Sequence, residues 1–286
     1  MDAAESPAER LRRRLASGPL VAPGVYDGLT ARLAEQAGFT AGYISGAATA
    51  ASRGMPDMSV LTVSELLDAV RVARASSDLD LVVDGDTGFG GGTAIRRLVR
   101  DLEQAGVAAV HIEDQEFPRR CGYLAEEPCV PIREMLARLR AARSSTNCLV
   151  IARTDALLTE GIKPTIDRIR AYRTAGAEMV MVNGITTITE LERIAAESPG
   201  PLLYNVSGSD RSPRLSVHDA ARYGVALIIY PIHAARAATA AAKRVFEAIA
   251  ADEPPPPNLL MPFREYMDIA GFAEADRFER GLAEQE

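Results

Sequence analysis

Two acidic residues, Asp84 and Asp86, open the stretch Asp84-Gly-Asp86-Thr-Gly-Phe-Gly, and Glu113 follows in His111-Ile-Glu113-Asp114-Gln115. Carboxylates two residues apart at the end of a strand point to the same side. Held together they repel, and a hard divalent cation relieves that repulsion. Mg2+ prefers oxygen ligands and keeps several waters, so two or three carboxylates suffice. The spacing therefore predicts Asp84, Asp86 and Glu113 as Mg2+ ligands, with Mn2+ as the alternative ion. The simpler alternative is a set of acidic loop residues capping the next helix. The glycines Gly88 and Gly90 to Gly92 lack the Gly-Lys-Ser/Thr of a nucleotide loop and read as a tight turn beside the metal.

Four further features carry chemistry. Ser45-Gly46-Ala47 offers a hydroxyl and closely approachable backbone N–H groups, which suit a carboxylate or enolate oxygen. Arg153 leaves an apolar run, Leu-Val-Ile-Ala-Arg-Thr, where an unpaired charge is costly. A substrate carboxylate is a fitting bidentate partner, and a structural ion pair with Asp155 or Glu113 is the alternative. Cys121 lies in Gln115–Pro131, a segment long for a loop of its kind and so read as a lid. Arg119 and Arg120 precede this thiol and favour its ionised form, which points to proton transfer over a bound substrate. His111 has the parity of Glu113, so it is expected one layer deeper, as a buried supporting residue rather than a base.

These residues fall at the ends of short apolar runs. Eight such runs read as strands: Leu20–Val25, Ala41–Ser45, Leu81–Asp84, Ala109–Glu113, Leu149–Arg153, Met179–Asn183, Pro201–Asn205 and Ala226–Tyr230. Amphipathic segments alternate with them, at Thr30–Ala37, Val63–Ala75, Gly92–Ala105, Arg133–Ser144, Pro164–Ala175, Ile188–Glu197, Val217–Tyr223 and Ala234–Ala251. Eight β–α units predict an α/β fold closed into a (β/α)8 TIM barrel, whose catalytic residues sit at the C-terminal strand ends. Residues 1–251 are read as the catalytic barrel. Residues 252–286 are read as a proline linker, Pro254 to Pro257, and a helical tail broken at Gly271.

Bulk properties set limits. A net charge of −7 argues against nucleic acid as a partner. The cluster Arg12-Arg13-Arg14 reads as a solvated helix face. Three cysteines, Cys121, Cys129 and Cys148, fit reduced thiols of a cytoplasmic protein. No run approaches the ~20 apolar residues needed to cross a bilayer, so no membrane partner is expected.

Taken together, GVYDGLTARLAEQAGF, YISGAATA, GMPDMSVLT, DGDTGFGGG, VHIEDQEFPRRCGY and IARTDA resemble the isocitrate lyase and phosphoenolpyruvate mutase superfamily, from about Gly18 to the end of the chain. The resemblance implies a barrel that binds Mg2+ and a 2-oxo acid or its enolate. It also implies a homotetramer in which a terminal helix is exchanged between subunits. Ser45, Gly46, Asp57, Asp84, Asp86, Glu113 and Arg153 match residues that hold the metal and the oxo-acid end. Arg119-Arg120-Cys121-Gly122-Tyr123 resembles the K-[KR]-C-G-H lid of the lyase branch, with lysine and histidine replaced. Asn205-Val-Ser207-Gly-Ser209 is similar to the N-x-S-x-S that holds a carboxylate product. Asn183 departs from the Glu of methylisocitrate lyases and the His of the mutase. The expected activity is thus Mg-dependent carbon–carbon cleavage of a 2-hydroxy di- or tricarboxylate, 2-methylisocitrate- or alkylmalate-like. Cys121, Tyr43 and Arg153 are its expected catalytic residues, and Ser45, Gly46, Ala47, Asp57, Asn183, Asn205, Ser207 and Ser209 bind the small carboxylic acid. A phosphonomutase or hydrolase is the alternative, then an oxaloacetate-type decarboxylase, and outside enzymology a degenerate binding barrel.

Overall fold

The computed structural model describes residues 5–124, 127–207, 209 and 211–283. The chain opens with helix α1 (Pro7–Ser17), started by a capping box between Ser6 and Glu9. The barrel follows as β1 (Leu20–Val25), α2 (Gly28–Gln36), β2 (Ala41–Ile44), α3 (Gly46–Ser52), α4 (Val63–Ser76), β3 (Asp80–Asp84), α5 (Gly92–Gln104), β4 (Ala109–Glu113) and α6 (Ile132–Arg143). It continues through β5 (Leu149–Thr154), α7 (Ala156–Thr159), α8 (Ile162–Thr174), β6 (Met179–Val182), α9 (Ile188–Glu197), β7 (Leu202–Asn205), α10 (Val217–Arg222), β8 (Val225–Tyr230) and α11 (His233–Ala250). The eight strands are parallel and close in sequence order, β8 pairing back onto β1 with Leu20 opposite Leu227. This is the (β/α)8 barrel expected from the alternation of apolar and amphipathic runs.

Two apolar layers result from the two-residue period of the strands. Outward residues such as Val83, Val110, Ile112, Val150 and Val180 pack against the helices. Inward residues Ala41, Val82, Ala109, Ile151, Met179, Leu203 and Leu227 fill the barrel, and Ala8 and Leu11 of α1 plug its lower end. The inward row that starts with these apolar residues continues upward as Tyr43 and Ser45 on β2, Asp84 on β3, His111 and Glu113 on β4, and Arg153 on β5. The core residues and the polar site are therefore successive rungs of the same faces.

The N-terminal basic cluster departs from the expectation of a solvated face. Arg14, with Arg10, binds the fully buried Asp80 at the start of β3, and Arg12 forms a two-point pair with Glu178 before β6. Burying Leu11 against the barrel floor turns these arginines toward the acidic strand starts. Only Arg13 is left at the surface, with Glu5.

Past α11, a turn and a 3-10 segment at Pro257–Leu259 lead to α12 (Phe263–Ile269) and α13 (Phe272–Ala283). Gly271 joins the two helices at φ +98°, a conformation that favours glycine. The tail packs back on the barrel where Ile269 is buried and its carbonyl accepts from Arg32 of α2.

Candidate active site

The polar rungs converge at the C-terminal mouth. Asp84, Asp86 and Glu113 are all buried, and one ligand oxygen from each lies within 4.8 Å of the others. Asp84 is fixed from both sides, its Oδ2 accepting the Gly46 N–H at 3.1 Å and its Oδ1 the Asp86 N–H at 3.2 Å. Asp86 itself sits at φ +48°, in the left-handed region. Both oxygens of Glu113 are buried without a hydrogen bond of good geometry, although Arg153 Nη1 stands 2.9 Å from Oε2. Burial holds the Glu113 pKa well above the ordinary carboxylate range, and the nearby Arg153 only partly opposes this. Burial also raises Asp86, to about 6. Asp84 has the same burial, but His111, Arg119 and Arg153 outweigh it and bring the carboxyl to about 2. Three converging carboxylates, with both Glu113 oxygens lacking a hydrogen bond, are a donor set that fits a hard divalent cation.

Arg153 is held side-on by Asp155, with Nε and Nη2 donating at 2.9 and 3.0 Å, and its Nη1 faces Glu113. Two of the five guanidinium N–H groups donate in this way, one on Nε and one on Nη2, which leaves the second N–H of Nη2 and those of Nη1 for a further carboxylate. Asp155 is in turn placed by Asn183, whose Nδ2 donates at 2.7 Å, and by its own N–H on Asp114 Oδ1 at 3.0 Å. Asn205 Nδ2 reaches Asn183 Oδ1 at 3.2 Å. Ser207, Ser209 and Ser212 form a hydroxyl cluster with separations of 2.7 and 2.8 Å about the Ser207 hydroxyl.

Tyr43 lies over His111 with parallel rings and an Oη–Nε2 distance of 2.5 Å. Burial, reinforced by the Asp84 charge, pushes the phenol well above its ordinary pKa. His111 is driven by burial down to about 4, which makes it neutral at physiological pH. It stands one rung below Glu113, touching Tyr43 and Asp84 rather than the cavity. Ser45 is the N-cap of α3, so its hydroxyl also faces the Ala48 N–H.

A small cavity lies above these groups and is lined by Tyr43, Ser45, Ala47, Asp57, Asp84, Arg153, Asn183, Asn205 and Ser207. The segment after β4 folds over it. Gln115 and Cys129 bridge its two ends, and Arg119, Cys121, Gly122 and Tyr123 turn inward to complete the wall. Tyr123 is tied to Ser207 and to the Gly184 N–H. Ala125 and Glu126 of this segment lie outside the described residues. Gly46, Asp86, Glu113 and Ser209 contact the lining residues without lining the cavity themselves.

Three aspects were not anticipated from sequence. Arg119 is directed away from any role beside Cys121 and into the carboxylates, with Nε 2.6 Å from Asp86 Oδ1 and Nη2 2.6 Å from Asp57 Oδ1. Met181, Pro231 and Ile232 supply an apolar part of the wall; Met181 shares the inward parity of Asn183, which is the signal that could have found it. Cys129 is part of the lid's stem, where burial and Asp114 raise its pKa far above the ordinary thiol range.

Residues 11–250 match the family model described as phosphoenolpyruvate phosphomutase. The chain belongs to that family, within the phosphoenolpyruvate mutase/isocitrate lyase superfamily. It is 39% identical over 237 residues to a 2-methylisocitrate lyase of Bacillus subtilis (strain 168), covering 82% of this chain and 79% of the relative. A 2,3-dimethylmalate lyase of Eubacterium barkeri is 31% identical over 283 residues, 96% of this chain and 98% of that protein. Among solved structures, an oxaloacetate acetylhydrolase bound to 3,3-difluorooxalacetate superposes with a TM-score of 0.91 at 32% identity, covering 99% of both chains. A phosphonopyruvate hydrolase complexed with oxalate and Mg2+ gives 0.86 at 30%, covering 96% of this chain and 98% of that one.

Proposed function

We propose that the protein is a carbon–carbon lyase that cleaves a 2-hydroxy di- or tricarboxylate, 2-methylisocitrate- or alkylmalate-like, into a 2-oxo acid and a second carboxylate. The observation that carries this reading is a thiol, Cys121, lining the same cavity as Arg153 and the carboxylate cluster. Cleavage leaves a carbanion delocalised into its carboxylate, which needs a proton. A thiol is a fitting proton donor to that carbon at neutral pH. The lyases among the relatives support the same reading.

Asp84, Asp86 and Glu113 would hold Mg2+, or Mn2+ in its place, directly or through waters. When bound, the ion supplies Lewis-acid stabilisation of charge developing on the 2-oxo oxygen. The N–H groups of Arg153 Nη1 and Nη2 not used by Asp155 take the substrate's carboxylate, with Ser45 and the Gly46–Ala47 backbone beside it. Asn205, Ser207, Ser209 and Asn183 bound the end where the second carboxylate leaves, and Asp57 lines the metal side. Tyr43 is placed to help deprotonate the substrate hydroxyl, with His111 Nε2 at 2.5 Å from its Oη holding the phenol in position. The C2–C3 bond then breaks with its electron pair on the departing fragment, and Cys121 protonates that carbon.

The assembly we infer is a homotetramer with an exchanged terminal helix. No residue of α11 is buried, and Phe246, Phe263, Tyr266, Phe272 and Phe278 are exposed along α11 to α13. A cytoplasmic location fits the three free cysteines. Among the described residues no helix is long and apolar enough to cross a membrane.

The test is release of pyruvate or glyoxylate from a panel of 2-hydroxy di- and tricarboxylates with Mg2+, alongside phosphonopyruvate. Cys121→Ser should lower cleavage by roughly 10²-fold or more, the scale of a positioned acid, with substrate still bound. The phosphonate-type relatives favour a mutase or hydrolase as the second reading. Phosphonopyruvate turnover indifferent to Cys121→Ser, with no hydroxy acid cleaved, would decide for it.

A further inference from the structure

Arg119 reaches from the lid into the carboxylate cluster. Its Nε and Nη2 both contact Asp86 Oδ1, at 2.6 and 2.5 Å, and Nη2 also contacts Asp57 Oδ1 at 2.6 Å. Nε stands 3.4 Å from Glu113 Oε1. The side chain is 3% exposed, so this is a desolvated contact and not a surface ion pair. The backbone at Arg119 is clipped to Ser59, the N–H donating to the hydroxyl at 2.9 Å and the carbonyl accepting from it at 3.3 Å. Ser59 holds φ +56°. The arginine is thus anchored at its backbone and inserted at its head, two residues before Cys121.

Two of the three carboxylates assigned to the divalent ion are therefore also the guanidinium's partners. Mg2+ demands oxygen ligands at about 2.0–2.1 Å in near-octahedral order. Asp86 Oδ1 can accept it only by shedding the Arg119 contacts. Ligation through Oδ2 would instead place a divalent charge a few ångströms from a buried monovalent one. Both geometries carry the same sign, because Arg119 and the ion oppose each other.

We propose that Arg119 is a lid-borne competitor for the divalent ion, so that metal loading and the position of the 119–123 segment are coupled. This rests on the assignment of Asp84, Asp86 and Glu113 as the metal's ligands. By linkage, whatever the guanidinium contributes to holding the segment down is subtracted from metal affinity, and the ion loosens the segment by the same factor. Arg119 acts here through the carboxylates and is a positioning residue. It does not need to touch substrate.

The experiment measures Mn2+ affinity by electron paramagnetic resonance on purified wild type, Arg119→Met, Arg119→Lys and Asp86→Asn. In parallel, the alkylation rate of Cys121 is read by peptide mapping with and without Mn2+. Arg119→Met is expected to bind Mn2+ at least tenfold more tightly than wild type, and Arg119→Lys, which keeps the charge, to stay within a few-fold of wild type. Mn2+ should speed Cys121 alkylation in wild type, and Arg119→Met should react quickly with or without the ion. Equal or weaker Mn2+ binding by a folded Arg119→Met overturns the competition while leaving the metal centre standing. Mn2+ binding unchanged in Asp86→Asn, or absent from both wild type and Arg119→Met, overturns the metal assignment and this inference with it. Binding by Arg119→Met alone supports the competition in its strongest form.

Discussion

Arg153→Lys separates substrate binding from structural pairing. The arginine is buried, is gripped by Asp155 at 2.9 and 3.0 Å, and approaches Glu113 at 2.9 Å. An ammonium is a single point of charge and cannot bridge both oxygens of a carboxylate while facing a second one. It keeps either Asp155 or Glu113, and the substrate carboxylate retains one contact where it had two. A charge-assisted hydrogen bond lost from such a site is worth about 2–3 kcal/mol. That predicts kcat/KM lowered roughly 30- to 200-fold. The fold should survive, because Asn183 still donates to Asp155 and the positive charge remains. Arg153→Ala is the contrasting variant, since it abandons two buried carboxylates at a cost of about 3–5 kcal/mol in stability. The assay is steady-state cleavage of whichever hydroxy acid proves active, with urea unfolding of the same preparations. An Arg153→Lys enzyme with wild-type kcat/KM would show that the guanidinium serves Asp155 and Glu113 alone.

Two further predictions follow from contacts around the mouth. A Cβ on Gly122 would stand 2.7 Å from Asp155 Oδ1 and 3.2 Å from Leu158 Cδ1, so Gly122→Ala should lift the lid and raise KM about tenfold or more with unfolding unchanged. A normal KM would mean that the lid does not seat there during turnover. His111 titrates at about 4 when folded against 6.5 when free. Its contribution is therefore present above pH 6.5 and lost as pH falls toward 4, roughly 3 kcal/mol in full. His111→Asn should remove that pH-dependent part, so the stability gap between variant and wild type narrows from pH 7 to pH 4.5. A gap constant with pH refutes the buried neutral histidine.

The strands were legible because apolar runs of parallel strands are buried on both faces, and β1 and β4 match the expected bounds at Leu20–Val25 and Ala109–Glu113. Parity then placed Asp84, His111 and Glu113 in order of depth, since one face of a strand advances by two residues. Legibility ended where periodicity did. Arg119 sits on a loop, whose side-chain directions no period encodes, so the sequence set it beside Cys121 and gave no sign of its reach to Asp86 and Asp57. The short helix α3 is Ala-rich and gives no amphipathic stripe, so Ser45 was read as a substrate-binding turn residue and its capping role was not visible. Arg12 and Arg14 looked like surface charges because their partners, Glu178 and Asp80, are remote in sequence.

The charges around the cavity impose an order on binding. Asp57, Asp84, Asp86, Glu113 and Asp155 face Arg119 and Arg153, which leaves the cluster short of positive charge even with Glu113 held toward its neutral form. A 2-oxo or 2-hydroxy acid brings at least one more negative charge. Arg153 alone cannot welcome it, because Asp155 and Glu113 already draw on the same guanidinium. A divalent cation among Asp84, Asp86 and Glu113 reverses the local sign. A unit pair about 4 Å apart is worth about 4 kcal/mol at an effective dielectric near 20, so even a heavily screened ion should change acid affinity by more than roughly 10²-fold. Pyruvate binding measured by calorimetry should therefore be readily detected with Mg2+ and vanish in excess EDTA. Equal affinity in both conditions would mean that the acid is held by Arg153 and the Ser45–Ala47 turn without help from the carboxylate cluster, and the metal would lose its place in substrate binding.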